Sequence, residues 1–383
     1  MAKSKMKWWK ILIGVVIVLN IFLWAFGKLY YYKALVYNYV NIDDLDLFST
    51  RTVKAGKGEP WAIGSDYNKK PLTPELRKTL EGYKSVAFVV IQDDSIRTEE
   101  YWDGYGDGAI SNSFSAAKSI VSILVGIALD EGKIKSLDQP VCDFLPEFCH
   151  DDNQQLTIRH LLMMSSGLNF DEGYTSLFSP TTEAYYGTDL KEQMLKLKVV
   201  DPPGKVFNYM SSNTQLLSFV VEKATGSTLS DYASEKLWKP IGAEMDAQWS
   251  LDHKDGDEKA YCCFYSTAKD FARIGKLFLN KGKWNGKQVI SEAYVDQCIT
   301  PAPITDGGQP NTVYGYQWWL TQYDGMKVIY ARGILGQYIF VIPDLNLVFV
   351  RLGHIRGEKD ADGQLLDVPV YLAEVFKMYG KKN

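Results

Sequence analysis

Apolar residues run without a charge from Ile11 to Gly27, ILIGVVIVLNIFLWAFG, relieved only by the amide of Asn20. At about 1.5 Å per helical residue, and with Trp8 and Trp9 added, this stretch can just cross a bilayer core of about 30 Å. Trp8, Trp9 and Trp24, then Tyr30, Tyr31 and Tyr32, flank it as interfacial aromatics do. Beyond it the pattern changes. Residues 34–80 are mixed and polar, punctuated by Gly56, Gly58, Pro60 and Pro71, and predict a stalk and an approach to a domain. From Ser85, SVAFVVIQDDSIRTEEYWDGY predicts two strands joined by a turn at Asp93-Asp94. From Lys118 to Leu129 nearly every position is apolar, which marks a buried helix, and Gly132 is placed to end it.

Residues 135–300 are mostly helical in pattern, with turns such as Asp201-Pro202-Pro203-Gly204. Strand character returns in KVIYARG and GQYIFVIPDLNLVFVRLGH, where Pro343-Asp344 separates two apolar runs as a hairpin turn would. Val368 to Tyr379 predicts a closing helix. Strands at both ends with helices between predict one sheet built from both termini, with a helical insertion.

Charge orients the chain. Lys3, Lys5, Lys7 and Lys10 precede the apolar run; Lys28 and Lys33 follow it, and then Asp43, Asp44 and Asp46. The positive-inside bias makes residues 1–10 a cytoplasmic N-terminus, 11–27 a transmembrane anchor and 28–80 the stalk. It puts residues 81–383 on the outer, periplasmic or extracytoplasmic, side of the cytoplasmic membrane. A cleaved signal peptide is the alternative; its apolar region would be long, and Ala25-Phe26-Gly27 is a poor cleavage site. A net charge of -4 gives no reason to expect nucleic acid as a partner. The four His stand at no helical ligand spacing, so no metal or other cofactor is expected. Five Cys with no C-x-x-C exclude a zinc ribbon; Cys142 and Cys149 are either a local disulfide or small buried hydrophobes.

Candidate chemistry begins at Ser113-Phe114-Ser115-Ala116-Ala117-Lys118, where the buried helix opens. Ser115 and Lys118 are three apart and share a face. A serine hydroxyl becomes a nucleophile when a base takes its proton, and a lysine can be that base if an apolar wall lowers its pKa. The helix N-terminus also offers free N–H groups, including that of Ser115, to an oxyanion. A surface lysine in a first turn is the alternative. A second cluster, FNYMSSNT from Phe207, precedes another apolar helix ending at Gly226. Its Tyr209 can relay a proton to a leaving group, or be a core tyrosine with a satisfied hydroxyl. In the third, Ala331 to Gln337, Gly333 and Gly336 permit close approach of a substrate and the N–H of Ile334 can be a second oxyanion donor; a bulge without a role is the alternative.

Together these three elements resemble the serine β-lactamase and penicillin-binding superfamily, in its class C-like branch. SFSAAKS is similar to the nucleophile motif, FNYMSSNT to the tyrosine motif and ARGILGQYIFVIPDLNLVFVRLGH to the third-motif strand and hairpin. The resemblance runs from about Val86 to the C-terminus and is best with the 6-aminohexanoate-dimer hydrolase type, through Y-x-S followed by T-x-x-L and through ARG-x-x-GQ. It implies an α+β fold of a five-stranded antiparallel sheet, flanking helices and a helical subdomain. It implies that Tyr209 assists Lys118, that the Ser115 and Ile334 N–H groups form the oxyanion hole, and that Tyr174 closes on substrate. The expected activity is hydrolysis of a small ester or amide through a Ser115 acyl-enzyme. The rival is a non-catalytic membrane-anchored module binding peptidoglycan fragments or a partner protein. One departure stands out: Ala331 takes the place of the usual Lys or His of the third motif. If Ala331 and Gly333 face the cleft, Arg332 points away from it.

Overall fold

The protein is described by a computed structural model, covering residues 8–174, 176–360 and 365–380. The basic N-terminal residues Lys3, Lys5 and Lys7 lie outside this range.

The apolar run forms a helix, Trp8–Ala25, with no buried residue, long and apolar enough to cross a membrane. The rest is built on a seven-stranded sheet. Its order is Trp319–Tyr323, Met326–Gly333, Gln337–Ile342, Leu347–Gly353, Ser85–Gln92, Ser95–Tyr101 and Ala62–Ile63. The strands from both halves of the chain meet where Leu347–Gly353 pairs with Ser85–Gln92. Five of these strands form the expected antiparallel sheet. The structure adds Trp319–Tyr323 at one edge and, at the other, Ala62–Ile63, which pairs parallel to Ser95–Tyr101. The two extra strands are short: Ala62 and Ile63 are both exposed and Trp319–Tyr323 buries only Leu320, so neither carries an apolar run that periodicity could detect. The Asp93-Asp94 turn has positive φ at both residues (51° and 60°), the conformation that matches the twist of a two-residue hairpin.

Period-two alternation sends side chains to two cores. Val89, Ile91, Ala331, Ile339, Val348 and Val350 face the larger one, which contains the buried helix Ala117–Asp130 and the helix Ala268–Leu279. Phe88, Val90, Phe340 and Phe349 face the other, covered by Pro74–Gly82 and Asp367–Tyr379 through Leu76, Leu80, Tyr371 and Val375.

Residues 28–80, expected as a stalk, lie against this body instead. Tyr30–Tyr37 is a helix that buries Tyr30 and Ala34. Lys28 Nζ stands 2.6 Å from the Glu183 carboxylate. Thr50–Val53 pairs with Ala247–Ser250 in a second sheet, which continues through Phe264–Ser266 to Ser111–Asn112. The reason for the difference is range: these contacts join positions roughly two hundred residues apart, and local polarity says nothing about them. This second sheet matters for the site because Ser111–Asn112 leads directly into the nucleophile turn, and Phe264–Ser266 follows the segment that faces it.

Candidate active site

The turn that carries Ser115 is clamped on all sides. Phe114 N–H donates to Asn112 Oδ1 (2.9 Å), and Asn112 Nδ2 donates to the Tyr265 hydroxyl (3.1 Å). Phe114 takes φ 42°, a left-handed conformation that costs a bulky residue of order 1–3 kcal/mol and persists only where the surroundings enforce it. A single 3-10 turn, Phe114–Ala116, then runs into the helix. From Ser111 to Ala128 every residue is buried except Ser115. The hydroxyl is therefore presented at the one opening in an otherwise sealed segment.

Lys118, 1% exposed, gives three hydrogen bonds from Nζ: to Ser115 Oγ (3.1 Å), Ser211 Oγ (3.1 Å) and the carbonyl oxygen of Tyr261 (2.8 Å). All three donors of the ammonium are thus satisfied without a direct carboxylate partner. Burial pushes its pKa down from 10.5 to about 8, against the opposing pull of Glu172. Near neutral pH a usable fraction is free amine, able to take the Ser115 proton over a distance already at hydrogen-bond length. The surface-lysine alternative does not hold.

Burial drives the Tyr209 hydroxyl well above the ordinary phenol range, and the neighbouring Ser115 opposes that rise. Tyr209 stays protonated, so it can pass a proton but cannot be the resting base. Its ring stands beside Trp319, with 5.6 Å between centroids, and Lys118 Nζ lies 5.1 Å from its face. Arg332 lays its guanidinium 3.4 Å over the ring of the same Trp319. Its charge acts on Tyr209. Arg332 is not among the residues lining the cavity at Ser115. It packs on Trp319, on the Tyr330 side of its strand, while Ala331 faces the other core, so nothing overturns the expectation that it points away from the cleft.

Gly333 and Gly336 have packing duties that the sequence did not suggest. A Cβ on Gly333 would collide with the Ser113 carbonyl and stand 3.1 Å from the Ser115 amide nitrogen. The close approach is to the nucleophile turn rather than to a substrate backbone. Gly336, at φ 88°, makes room for the Arg351 guanidinium. That buried arginine donates to the carbonyls of Leu335 (3.0 Å) and Gly336 (2.8 Å) and to Ser85 Oγ (2.9 Å), fixing the turn that follows Gly333. Ile334, at the start of that turn, lines the same cavity as Ser115.

This cavity, of about 530 Å³, also receives Tyr174, Ser211, Tyr261 and Arg356. Tyr174 donates to Glu172, whose carboxylate accepts from the Ser211 N–H (2.6 Å) and Ser211 hydroxyl (2.5 Å). A chain Glu172–Ser211–Lys118 results. Glu172 sits at the N-terminus of the helix Ser211–Thr225, where a carboxylate is favoured by the helix dipole. It was missed because an acid in a polar loop has no local signature. Also unforeseen is the disulfide, which joins the neighbours Cys262 and Cys263 beside Tyr261; Cys142 and Cys149 are free thiols. The adjacent Cys262-Cys263 in the sequence was the available signal.

The beta-lactamase family model matches residues 75–368, and the chain belongs to that family. It is a serine hydrolase, as named members are. It is 28% identical over 297 residues to 6-aminohexanoate-dimer hydrolase of Paenarthrobacter ureafaciens, covering 73% of this chain and 75% of that one. A solved structure from Bacillus anthracis, provisionally assigned as a 6-aminohexanoate-dimer hydrolase, superposes with TM-score 0.77 at 21% identity, covering 88% of this chain and 92% of that one. A D-stereospecific amidohydrolase from a Streptomyces species superposes with TM-score 0.60 at 17% identity, over 79% and 98% of the two chains.

Proposed function

We propose that this chain cleaves a small ester or linear amide through an acyl-enzyme on Ser115. The observation that carries the reading is the buried Lys118 amine 3.1 Å from Ser115 Oγ, with its pKa lowered to about 8. Lys118 takes the Ser115 proton as Oγ attacks the carbonyl. The oxyanion is held by the N–H groups of Ser115 and Ile334. Tyr209, beside Ser115 and protonated, hands a proton to the leaving group. Water then attacks the acyl-enzyme and restores the serine. Tyr174, on the cavity wall, closes on the bound substrate. The names of the relatives favour amides of linear amino acids, and the reading keeps esters beside them because the same chemistry serves both.

The helix Trp8–Ala25 serves in this reading as an uncleaved anchor, with residues 1–10 in the cytoplasm and the hydrolase outside. The Cys262–Cys263 disulfide supports that side, since disulfides persist in oxidising compartments. A fluorophosphonate probe on the full chain in detergent tests the site: the wild type is labelled at Ser115 and Ser115→Ala is not. Absence of labelling in a folded wild type would favour the binding-module reading. A reporter active only outside the cytoplasm, fused after Asn383, tests the orientation.

A further inference from the structure

The cavity at Ser115 has a second wall that catalysis does not use. Ala34, Leu35, Tyr39 and Val40 line it, together with Leu177 and Thr181. The first two belong to the helix Tyr30–Tyr37, which begins five residues after the apolar helix ends at Ala25. This wall is tied to the body at its base. Lys28 grips Glu183, on the helix Pro180–Tyr186 that contributes Thr181 and Thr182 to the cavity. Tyr31 meets Phe178 edge-on at 5.4 Å.

Chain length limits how far this wall can stand from a bilayer. Five extended residues and five helical ones span at most about 25 Å from Ala25 to Leu35. The polar headgroup layer occupies roughly 5–8 Å of that on each side. The apolar residues beside these lining residues in the chain are largely exposed: Val36 75% and Phe178 73%, and the lining Tyr39 82%. Leu35, 63% exposed, also lines the cavity. Apolar side chains so exposed, continuous with a membrane-length helix and bordering a catalytic cavity, have one solvent that suits them.

We propose that the substrate is a membrane-resident amphiphile, whose hydrocarbon acyl chain enters between the Tyr30–Tyr37 helix and Leu177 while its ester or amide carbonyl reaches Ser115. This rests on the hydrolase and anchor readings above. The acyl carbon bonds to Ser115 Oγ, and its bond to the leaving oxygen or nitrogen breaks. The Ser115 proton passes through Lys118 and Tyr209 to that leaving atom. Water then releases a free fatty acid and returns a proton to Ser115. The leaving group needs no apolar contact and departs on the polar side.

The test uses the full chain reconstituted in phosphatidylcholine vesicles, with p-nitrophenyl esters from butanoate to dodecanoate. Wild-type kcat/KM is expected to rise at least about tenfold along the series, the effect of burying roughly two methylenes. In Leu35→Asp the rise should shrink to less than about threefold. Partitioning into the vesicles acts on both proteins alike, so the difference between them reports the cavity. A flat or falling wild-type series overturns the proposal, and so does a rise that Leu35→Asp leaves intact. Fluorophosphonate labelling of both proteins separates the failures: an unlabelled wild type refutes the hydrolase reading itself, while a labelled Leu35→Asp is folded and its profile counts.

Discussion

Gly333 lies so close to Ser113 that a Cβ on the glycine would overlap the serine carbonyl oxygen. The third-motif strand and the nucleophile turn are thus fitted to one another at a point where only hydrogen fits. Gly333→Ala must push one of them away. Displacements of about 1 Å at a reacting centre cost about 10²-fold, and a loss of that size in ester turnover is expected. The thermal midpoint should fall little, since the displaced turn borders the cavity. Activity within about threefold of wild type would mean that the turn can move without consequence.

Lys118 is hydrogen-bonded to Ser115 and Tyr209 is electrostatically coupled to it, so the two should act as one relay. Truncating either to Met or Phe should slow acylation by at least about 10²-fold. The double variant should be little worse than the poorer single. Fully multiplicative losses, measured by pre-steady-state release of p-nitrophenol, would show two independent groups.

The pH dependence follows from the sign of the Lys118 shift. Free amine is the active base, so kcat/KM for a neutral ester should rise with pH through about 8, where burial places the folded-state pKa. Glu172 opposes that shift by favouring the ammonium. Glu172→Gln removes the negative charge, keeps a side chain able to accept from Ser211, and should move the acid limb to lower pH. A limb that stays in place or moves up would show that Glu172 does not act on Lys118.

Charge in the cleft bears on substrate choice. Ala331 supplies none, yet Arg356 lines the cavity and, with Arg332, acts on Tyr209. Arg356→Ala should lower kcat/KM for a carboxylate-bearing cephalosporin by about tenfold, a modest share of the 2–5 kcal/mol of a fully buried charge pair. A neutral p-nitrophenyl ester should change by less than about threefold. Equal losses on both would assign Arg356 to the fold rather than to an anion.

How much of this could be read from the chain alone depended on distance along it. Ser115 and Lys118 were legible because a lysine opening an apolar helix has few uses, and the hairpin at Asp93-Asp94 because turn and alternation are local. The Glu172 carboxylate beneath Ser211 and the grip of Arg351 on the Leu335 and Gly336 carbonyls were not. Each joins a residue with an ordinary local pattern to a partner chosen by the fold. The glycines were recognised as points of close approach, but what approaches Gly333 is the protein's own turn. The residues read as a stalk show the same limit, because polarity with scattered Gly and Pro describes a packed loop as well as a free one.

The family match begins at residue 75, whereas one side of the substrate chamber is made by residues 34–40. Thr50–Val53 closes the edge of the second sheet against Ala247–Ser250. A recombinant enzyme trimmed to the boundaries of its family would keep Ser115, Lys118 and Tyr209 and still react with small probes. Its chamber would be a basin open on one side, indifferent to the size and shape of what it hydrolyses. A screen run on such a fragment would report a promiscuous esterase, and the promiscuity would belong to the cut.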